Sequence, residues 1–215
     1  MTYDDRDLEG SEVRLWKLIE ERSRPGISPA EIARIDERIW DLFGEEWAIV
    51  FTDLSGFSRQ VAAFGIVHFL QIIFEQKRLL LPIAARHDGI LVKVEADSFL
   101  LIFKRPAAAV RCLVEMQHAC REYNRGRHEE DRVLLCAGVG FGRILRIGDR
   151  DVYGQEVNAA SKLGEDTARA NEILVTSAVR DAAPEIEGVS YEPTGESVPG
   201  SATNYRVLYP GFSGP

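Results

Sequence analysis

Two apolar runs, Ile90-Leu91-Val92-Lys93-Val94 and Phe99-Leu100-Leu101-Ile102-Phe103, flank the short turn Glu95-Ala96-Asp97. Branched and aromatic residues on both sides of so brief a turn predict an antiparallel hairpin. Helical patterns bracket it, one from about Ser58 to Arg86 with a bend expected near Pro82, the other from about Pro106 to Tyr123. A strand from Trp47 to Thr52 comes before, and strands from Val133 to Val139 and from Arg143 to Ile147 come after. A helix from about Glu156 to Ala170, a strand from Glu172 to Thr176, a short helix and two weak strands near Ser190 and Tyr205 complete the order. Alternation with a hairpin in its middle predicts an α+β sandwich, with helices on one side of a mainly antiparallel sheet.

The first 45 residues read differently, as two short helices joined by Ser23-Arg24-Pro25-Gly26. Ser28-Pro29-Ala30-Glu31 places an N-cap serine, a first-turn proline and a capping-box glutamate in register. Ile32, Ile35, Ile39 and Leu42 then form an apolar stripe that packs on its own domain or on a second subunit. The chain divides into a helical segment, 1–45, and one domain, 46–210.

With 45% apolar and 28% charged residues the chain is a globular protein, and a net charge of -8 argues against nucleic-acid binding. No run reaches the ~20 apolar residues of a membrane span, and Met1-Thr2-Tyr3-Asp4-Asp5 is not a signal peptide, so a cytoplasmic protein is expected. Cys112, Cys120 and Cys136 lack metal-site spacing and are expected as buried thiols. His68, His87, His118 and His128 are scattered, which favours packing or solvent roles. Gly138-Val139-Gly140-Phe141-Gly142 reads as strand glycines near a bend, not as a phosphate loop.

The chemistry concentrates in three motifs. In Phe51-Thr52-Asp53-Leu54-Ser55-Gly56-Phe57-Ser58 an aspartate ends the first strand, and 44 residues later Asp97 sits in the hairpin turn. Two carboxylates brought to one point repel unless a cation lies between them, and oxygen ligands favour Mg²⁺, Mn²⁺ or Ca²⁺. Gly56 permits close approach of the backbone, which suits a triphosphate at the following helix N-terminus. In Asp151-Val152-Tyr153-Gly154-Gln155-Glu156-Val157-Asn158-Ala159-Ala160-Ser161-Lys162, Asn158 and Lys162 share a helix face, and the small residues between them indicate close packing. An amide beside a cation suits charge developing on a transferring phosphoryl group.

These motifs, in this order, resemble the class III nucleotidyl cyclases over about Trp47 to Ala183. The resemblance implies a ferredoxin-like catalytic core and a head-to-tail homodimer with shared active sites. Asp53, Asp97 and the Leu54 carbonyl would hold two divalent ions, Mn²⁺ or Mg²⁺, per site. Lys93 and Asp151 of the other subunit would read the base, Asn158 would orient ribose or triphosphate, and Lys162 stands where the family usually has an arginine. The implied reaction is attack of the ribose 3′-oxygen on the α-phosphorus, giving a 3′,5′-cyclic nucleotide and pyrophosphate.

The sequence departs from the family pattern in several places. Lys162 lacks the forked guanidinium, and Glu95-Ala96 replaces the usual small residue and glycine. Gly195-Glu196-Ser197-Val198-Pro199-Gly200 lacks a triphosphate lysine, and the stretch from Gly142 to Asp151 is shorter than the usual dimerisation arm. Lys93 and Asp151 match the adenylyl cyclase pair in type, yet one cation and one carboxylate satisfy adenine, uracil or cytosine alike. Phe51, Phe57 and Glu95 are further candidates for the nucleotide pocket, Phe51 and Glu95 as fillers of the space beside a smaller base. The small architecture, helical preface, short arm and altered turn resemble the pyrimidine cyclases of bacterial Pycsar anti-phage defence. That resemblance implies cyclic UMP made from UTP and read by a separate effector protein. An adenylyl or guanylyl cyclase, or an inactive cyclase-like interaction domain, are the alternatives.

Overall fold

The computed structural model describes residues 11–212, without the side chains of 11 and 57–60. Two helices lead the chain, α1 (Ser11–Arg22) and α2 (Pro29–Phe43). The α2 capping box forms as the sequence predicts: the Ser28 hydroxyl accepts from the Glu31 amide, and the Ser28 amide donates to the Glu31 carboxylate. Ile35, Ile39 and Phe43 are buried on that helix, while Leu42 is exposed, so Phe43 takes the place expected of Leu42. The stripe packs on Leu15 and Leu18 of α1 and on Ile147 of the sheet, within its own chain.

The rest builds on β1 (Gly44–Leu54), α3 (Phe57–Phe64), α4 (Ile66–Arg86), β2 (Ile90–Glu95), β3 (Ser98–Phe103), α5 (Pro106–Asn124) and β4 (Leu135–Ile147). β5 (Asp151–Tyr153), α6 (Gln155–Ser161), a π-helical turn (Lys162–Thr167), β6 (Ile173–Thr176), α7 (Ser177–Ala182), β7 (Ser190–Pro193) and β8 (Asn204–Leu208) follow. The sheet order is β2-β3-β1-β4-β6-β8-β7, with β5 paired to β4 off this path. Only the β4–β6 pair among these is parallel. The first four strands, with their two helical crossovers, form the ferredoxin-like unit.

Strand periodicity assigns the two faces. Ala48 and Val50 of β1 and Phe99, Leu101 and Phe103 of β3 point to one side, where α4, α5 and α7 cover them. Trp47, Ile49, Leu100 and Ile102 point to the other, against Val152, Val157 and Ala160. Helices therefore lie on both faces, where the sequence led us to expect one. The reason is the glycine series of β4. Cβ atoms at Gly138 and Gly140 would collide with the carbonyls of Ala160 and Glu156, so the bare strand is what lets α6 lie directly on the sheet.

Four boundaries also differ from expectation. β1 begins at Gly44, and β4 is one strand of 13 residues where two were expected, because the glycines continue its ladder instead of bending it. The first long helix breaks at Gly65, whose φ of 85° is left-handed, and Pro82 lies inside the continuous α4. The motif helix turns π-helical at Lys162 and ends at Thr167. Cys112, Cys120 and Cys136 are buried free thiols, pushed up to about 12 by burial. Among the described residues no helix is long and apolar enough to cross a membrane.

Candidate active site

Asp53 is the penultimate residue of β1, and Asp97 occupies the β2–β3 turn beside it. The turn is fixed from below: the Gln76 side-chain amide of α4, itself fully buried, donates to the Asp97 carbonyl at 2.7 Å. The Phe99 amide donates to the Thr52 hydroxyl at 3.2 Å, tying the start of β3 to β1. Ala96 takes a φ of 50°, a left-handed conformation unusual for a residue with a Cβ. Asp97 is thereby buried, only 7% exposed.

The electrostatics of this pair suit a cation. Burial, then the charge of Asp97, pushes the Asp53 carboxyl up to about 6, against a partial offset from the Leu54 amide and Ser98. Burial likewise raises Asp97. The Ser98 hydroxyl donates to Asp53 at 3.3 Å, but Asp97 Oδ2 is buried and has no hydrogen-bond partner among the described residues. An orphaned carboxylate oxygen facing a second carboxylate is what a hard divalent ion would satisfy, so the residues present fit the ions the resemblance implies. Among the described residues no cluster of three or more His, Cys, Asp or Glu side chains adds to the pair.

On the other side of the hairpin, Lys93, Glu95, Ser98, Phe51, Leu100, Asp151, Val152, Val157 and Glu165 line a cleft of about 150 Å³. Lys93 Nζ lies 2.5 Å from Glu95 Oε1 and 4.0 Å from Asp151 Oδ2, and both acids raise its pKa. Asp151 Oδ1 accepts from the Val152 amide at 2.9 Å, which leaves Oδ2 toward Lys93. The structure thus brings together Lys93, Glu95, Asp151 and Phe51, four of the residues singled out for the nucleotide.

Asn158 and Lys162 stand apart from that cleft, exposed on α6 and at its end. Lys162 pairs with Asp166 one turn on, which raises its pKa. Gly56 caps α3 with a φ of 93°, consistent with the freedom asked of it, whereas the side chain of Phe57 lies outside the described residues. The small residues of the third motif pack on protein: Ala159 and Ala160 are fully buried, and a Cβ at Gly164 would meet the Phe51 carbonyl 2.6 Å away. Glu156 holds α6 down by accepting from the Phe141 amide at 3.0 Å and the Thr176 hydroxyl at 2.8 Å.

Glu165 is the functional candidate the sequence reading missed. It lines the cleft, accepts from the Ser161 hydroxyl, and its charge raises both Asp53 and Asp97. Its spacing from Lys162 was visible, but a regular α-helix would have aimed it elsewhere. The π-helical turn adds a residue per turn and changes which side chains share a face.

Comparison with known proteins gives the family and the fold. The sequence model of the Adenylate and Guanylate cyclase catalytic domain matches residues 44–203. The serine/threonine-protein kinase pkn2 of Myxococcus xanthus is 29% identical over 147 residues, 68% of this chain but only 17% of that protein. The fold is shared with an adenylate/guanylate cyclase/hydrolase from Silicibacter pomeroyi, at a TM-score of 0.67 and 23% identity, covering 76% of this chain and 95% of that one. It is also shared with the adenylyl cyclase CyaB from P. aeruginosa, at 0.65 and 19%, covering 77% and 94%. With the family match spanning well over half of its length, the chain belongs to the class III adenylate and guanylate cyclases, as a nucleotidyl cyclase catalytic domain.

Proposed function

We propose that the chain converts UTP to cyclic UMP and pyrophosphate, in a homodimer whose two sites each draw on both subunits. The observation that carries the cyclase chemistry is the half-buried Asp53, raised by burial and by the charge of the buried Asp97 beside it, together with the unpartnered Asp97 oxygen. When bound there by the two carboxylates and the Leu54 carbonyl, two Mn²⁺ or Mg²⁺ ions would supply activation of the ribose 3′-hydroxyl and neutralisation of the leaving pyrophosphate. The 3′-oxygen bonds to the α-phosphorus, its proton passes to solvent, and the bond to the β-phosphate oxygen breaks with its electron pair leaving on pyrophosphate.

The chain's own residues bind and orient. From the other subunit, Lys93 and Asp151 present one donor and one acceptor to the base edge. Asn158 orients the ribose or triphosphate from the partner side, and Lys162 supplies a point charge to the transition state once drawn away from Asp166. Gly56 and the start of α3 would offer backbone amides to the triphosphate.

The preference for a pyrimidine rests on Glu95. Its carboxylate is held against Lys93 and takes up space in a cleft of only about 150 Å³, together with Phe51. The reading extends to the Pycsar type of pyrimidine cyclase acting in the cytoplasm, with a separate effector responding to cyclic UMP. Residues 46–210 would form the catalytic domain and 1–45 a helical preface. The Lys93–Asp151 pair favours a second reading, an adenylyl cyclase, since it offers adenine the same donor and acceptor.

Incubation of the purified protein with Mn²⁺ and each of the four nucleoside triphosphates, with cyclic product and pyrophosphate both quantified, tests this. UTP is expected to turn over most efficiently. Preference for ATP would select the second reading, and a folded dimer inert toward all four would make the chain a cyclase-like interaction domain.

A further inference from the structure

Resting on the cyclase reading, we infer that α1 and Arg150 are positioning elements for the base reader Asp151, and hence for nucleotide selectivity. Asp151 begins β5, a strand of only three residues that pairs with β4 through Ile147↔Asp151, Arg146↔Val152 and Leu145↔Tyr153. Val152 anchors its middle in the core against Trp47, Ile49, Leu100 and Ile102, but so short a strand on one partner holds its end residue Asp151 less firmly. A carboxylate that reads a base edge must nevertheless stay within about 0.5 Å of its working position.

A further support, at the Asp151 end of the strand, comes from the N-terminal helix. Leu15 and Leu18, each 5% exposed, pack with Ile147, the residue opposite Asp151 in the ladder. On the exposed side, Arg150, the residue before Asp151, donates to the Glu12 carboxylate of α1 at 3.2 Å. Trp16 and Tyr153, both about half exposed, line a cavity of about 230 Å³ with Glu12, Leu15, Ile147, Arg150 and Asp151. Asp151 is therefore a wall between two spaces, with Lys93 and the base cleft on one side and α1 on the other. Because its Oδ1 is tied to the adjacent Val152 amide, the carboxylate goes where β5 goes. Lys93, Glu95 and Glu165 on the cleft side, and Arg150, Glu12 and Tyr153 on the α1 side, are the charged and titratable groups around it.

The apolar contact and the ion pair contribute unequally. The Glu12–Arg150 pair is largely solvated and shifts an equilibrium by at most about fivefold. Loss of a buried leucine side chain is felt more strongly.

The test uses the full chain with Mn²⁺ and measures kcat and KM separately for UTP and ATP. Glu12→Arg and Arg150→Glu are each expected to lower the ratio of the two kcat/KM values by about two- to fivefold, through KM, while Mn²⁺ affinity stays unchanged. The double swap restores the pair with its polarity reversed and is expected to recover at least half of the loss. Leu18→Ala is expected to lower the ratio by about tenfold, and if it fails to fold, the charge-swap series decides alone. Unchanged selectivity in the swap series, or an equal loss of kcat for both nucleotides without rescue, would overturn the inference while leaving the cyclase reading intact. A wild-type chain inert toward every triphosphate would overturn both.

Discussion

The proposed metal end and the proposed base end on this chain each hold two carboxylates, yet the pairs sit in contrasting surroundings. Asp151 and Glu95 share Lys93 at an exposed surface, where solvent and the ammonium between them screen one carboxylate from the other. Asp53 is half-buried beside the buried Asp97, and among the described residues neither has a basic partner. The base end is satisfied within one chain and needs a ligand only for selectivity. At the metal end the fold keeps an unfavourable arrangement in place through Gln76, Thr52 and the left-handed Ala96. Buried repulsion that the surrounding structure over-determines marks a place where binding energy will be recovered.

The largest effect that would break this contrast comes from Asp97→Asn. Its amide can donate to Asp53, removing both the repulsion and the orphaned oxygen. Turnover is expected to fall at least about a hundredfold, while the metal-free protein becomes more stable by on the order of 1 kcal/mol. Asp151→Asn at the base end is expected to change selectivity without that gain. Steady-state kinetics and chemical denaturation of both variants check the comparison. Retained turnover in Asp97→Asn would remove the carboxylate pair from the chemistry.

Next in size is a pH dependence of opposite sign to that of a salt-bridged aspartate. Asp53 titrates near 6 in the fold against an ordinary 3.8, so between those values the native state binds more protons than the unfolded chain. Stability from this group is full below about 4 and is lost as pH rises through about 6. Allowing for partial solvent screening, the loss is on the order of 2 kcal/mol. Mn²⁺ is expected to cancel it, so that the stabilisation by the ion grows from pH 4.5 to pH 7. Melting curves with Mn²⁺ and with chelator across that range give the difference directly. A difference that does not change with pH would mean that the carboxylates are not the ligands.

How much of this was legible in the sequence depends on the kind of signal. The hairpin, the strand-end Asp53 and the turn Asp97 follow from runs of branched and aromatic residues around a short turn, which are local properties. The Lys93–Asp151 meeting was reached through family resemblance, because residues on strands far apart in the chain meet only through sheet order. The burial of α6 against β4 was written in Gly138, Gly140 and Gly164, but a glycine series names a close approach without naming what approaches. Glu165 was hidden by a π-helical turn, which has no period a sequence window detects. The part of α1 beside Asp151 depends on an ion pair across 138 residues and an apolar contact, neither of which has a local signature.

The smallest effect concerns the turn itself, and it separates stored strain from useful rigidity. Ala96 at a φ of 50° carries a penalty of about 1 kcal/mol that glycine would not. Glycine would also add freedom to the unfolded chain, so Ala96→Gly is expected to stabilise the metal-free protein by only about 0.5 kcal/mol. If the left-handed alanine serves merely as a tolerated flaw, Mn²⁺ affinity will be unchanged in that variant. If it holds Asp97 toward Asp53, the freer turn lets the carboxylates separate, and Mn²⁺ binding weakens by about two- to threefold even as the apo fold gains stability. The second outcome is expected, because the Asp97 carbonyl is already pinned by Gln76 and the backbone of Ala96 is the remaining freedom through which the carboxylate can turn away. Calorimetric titration with Mn²⁺ alone, paired with apo denaturation, reads both quantities on the same samples.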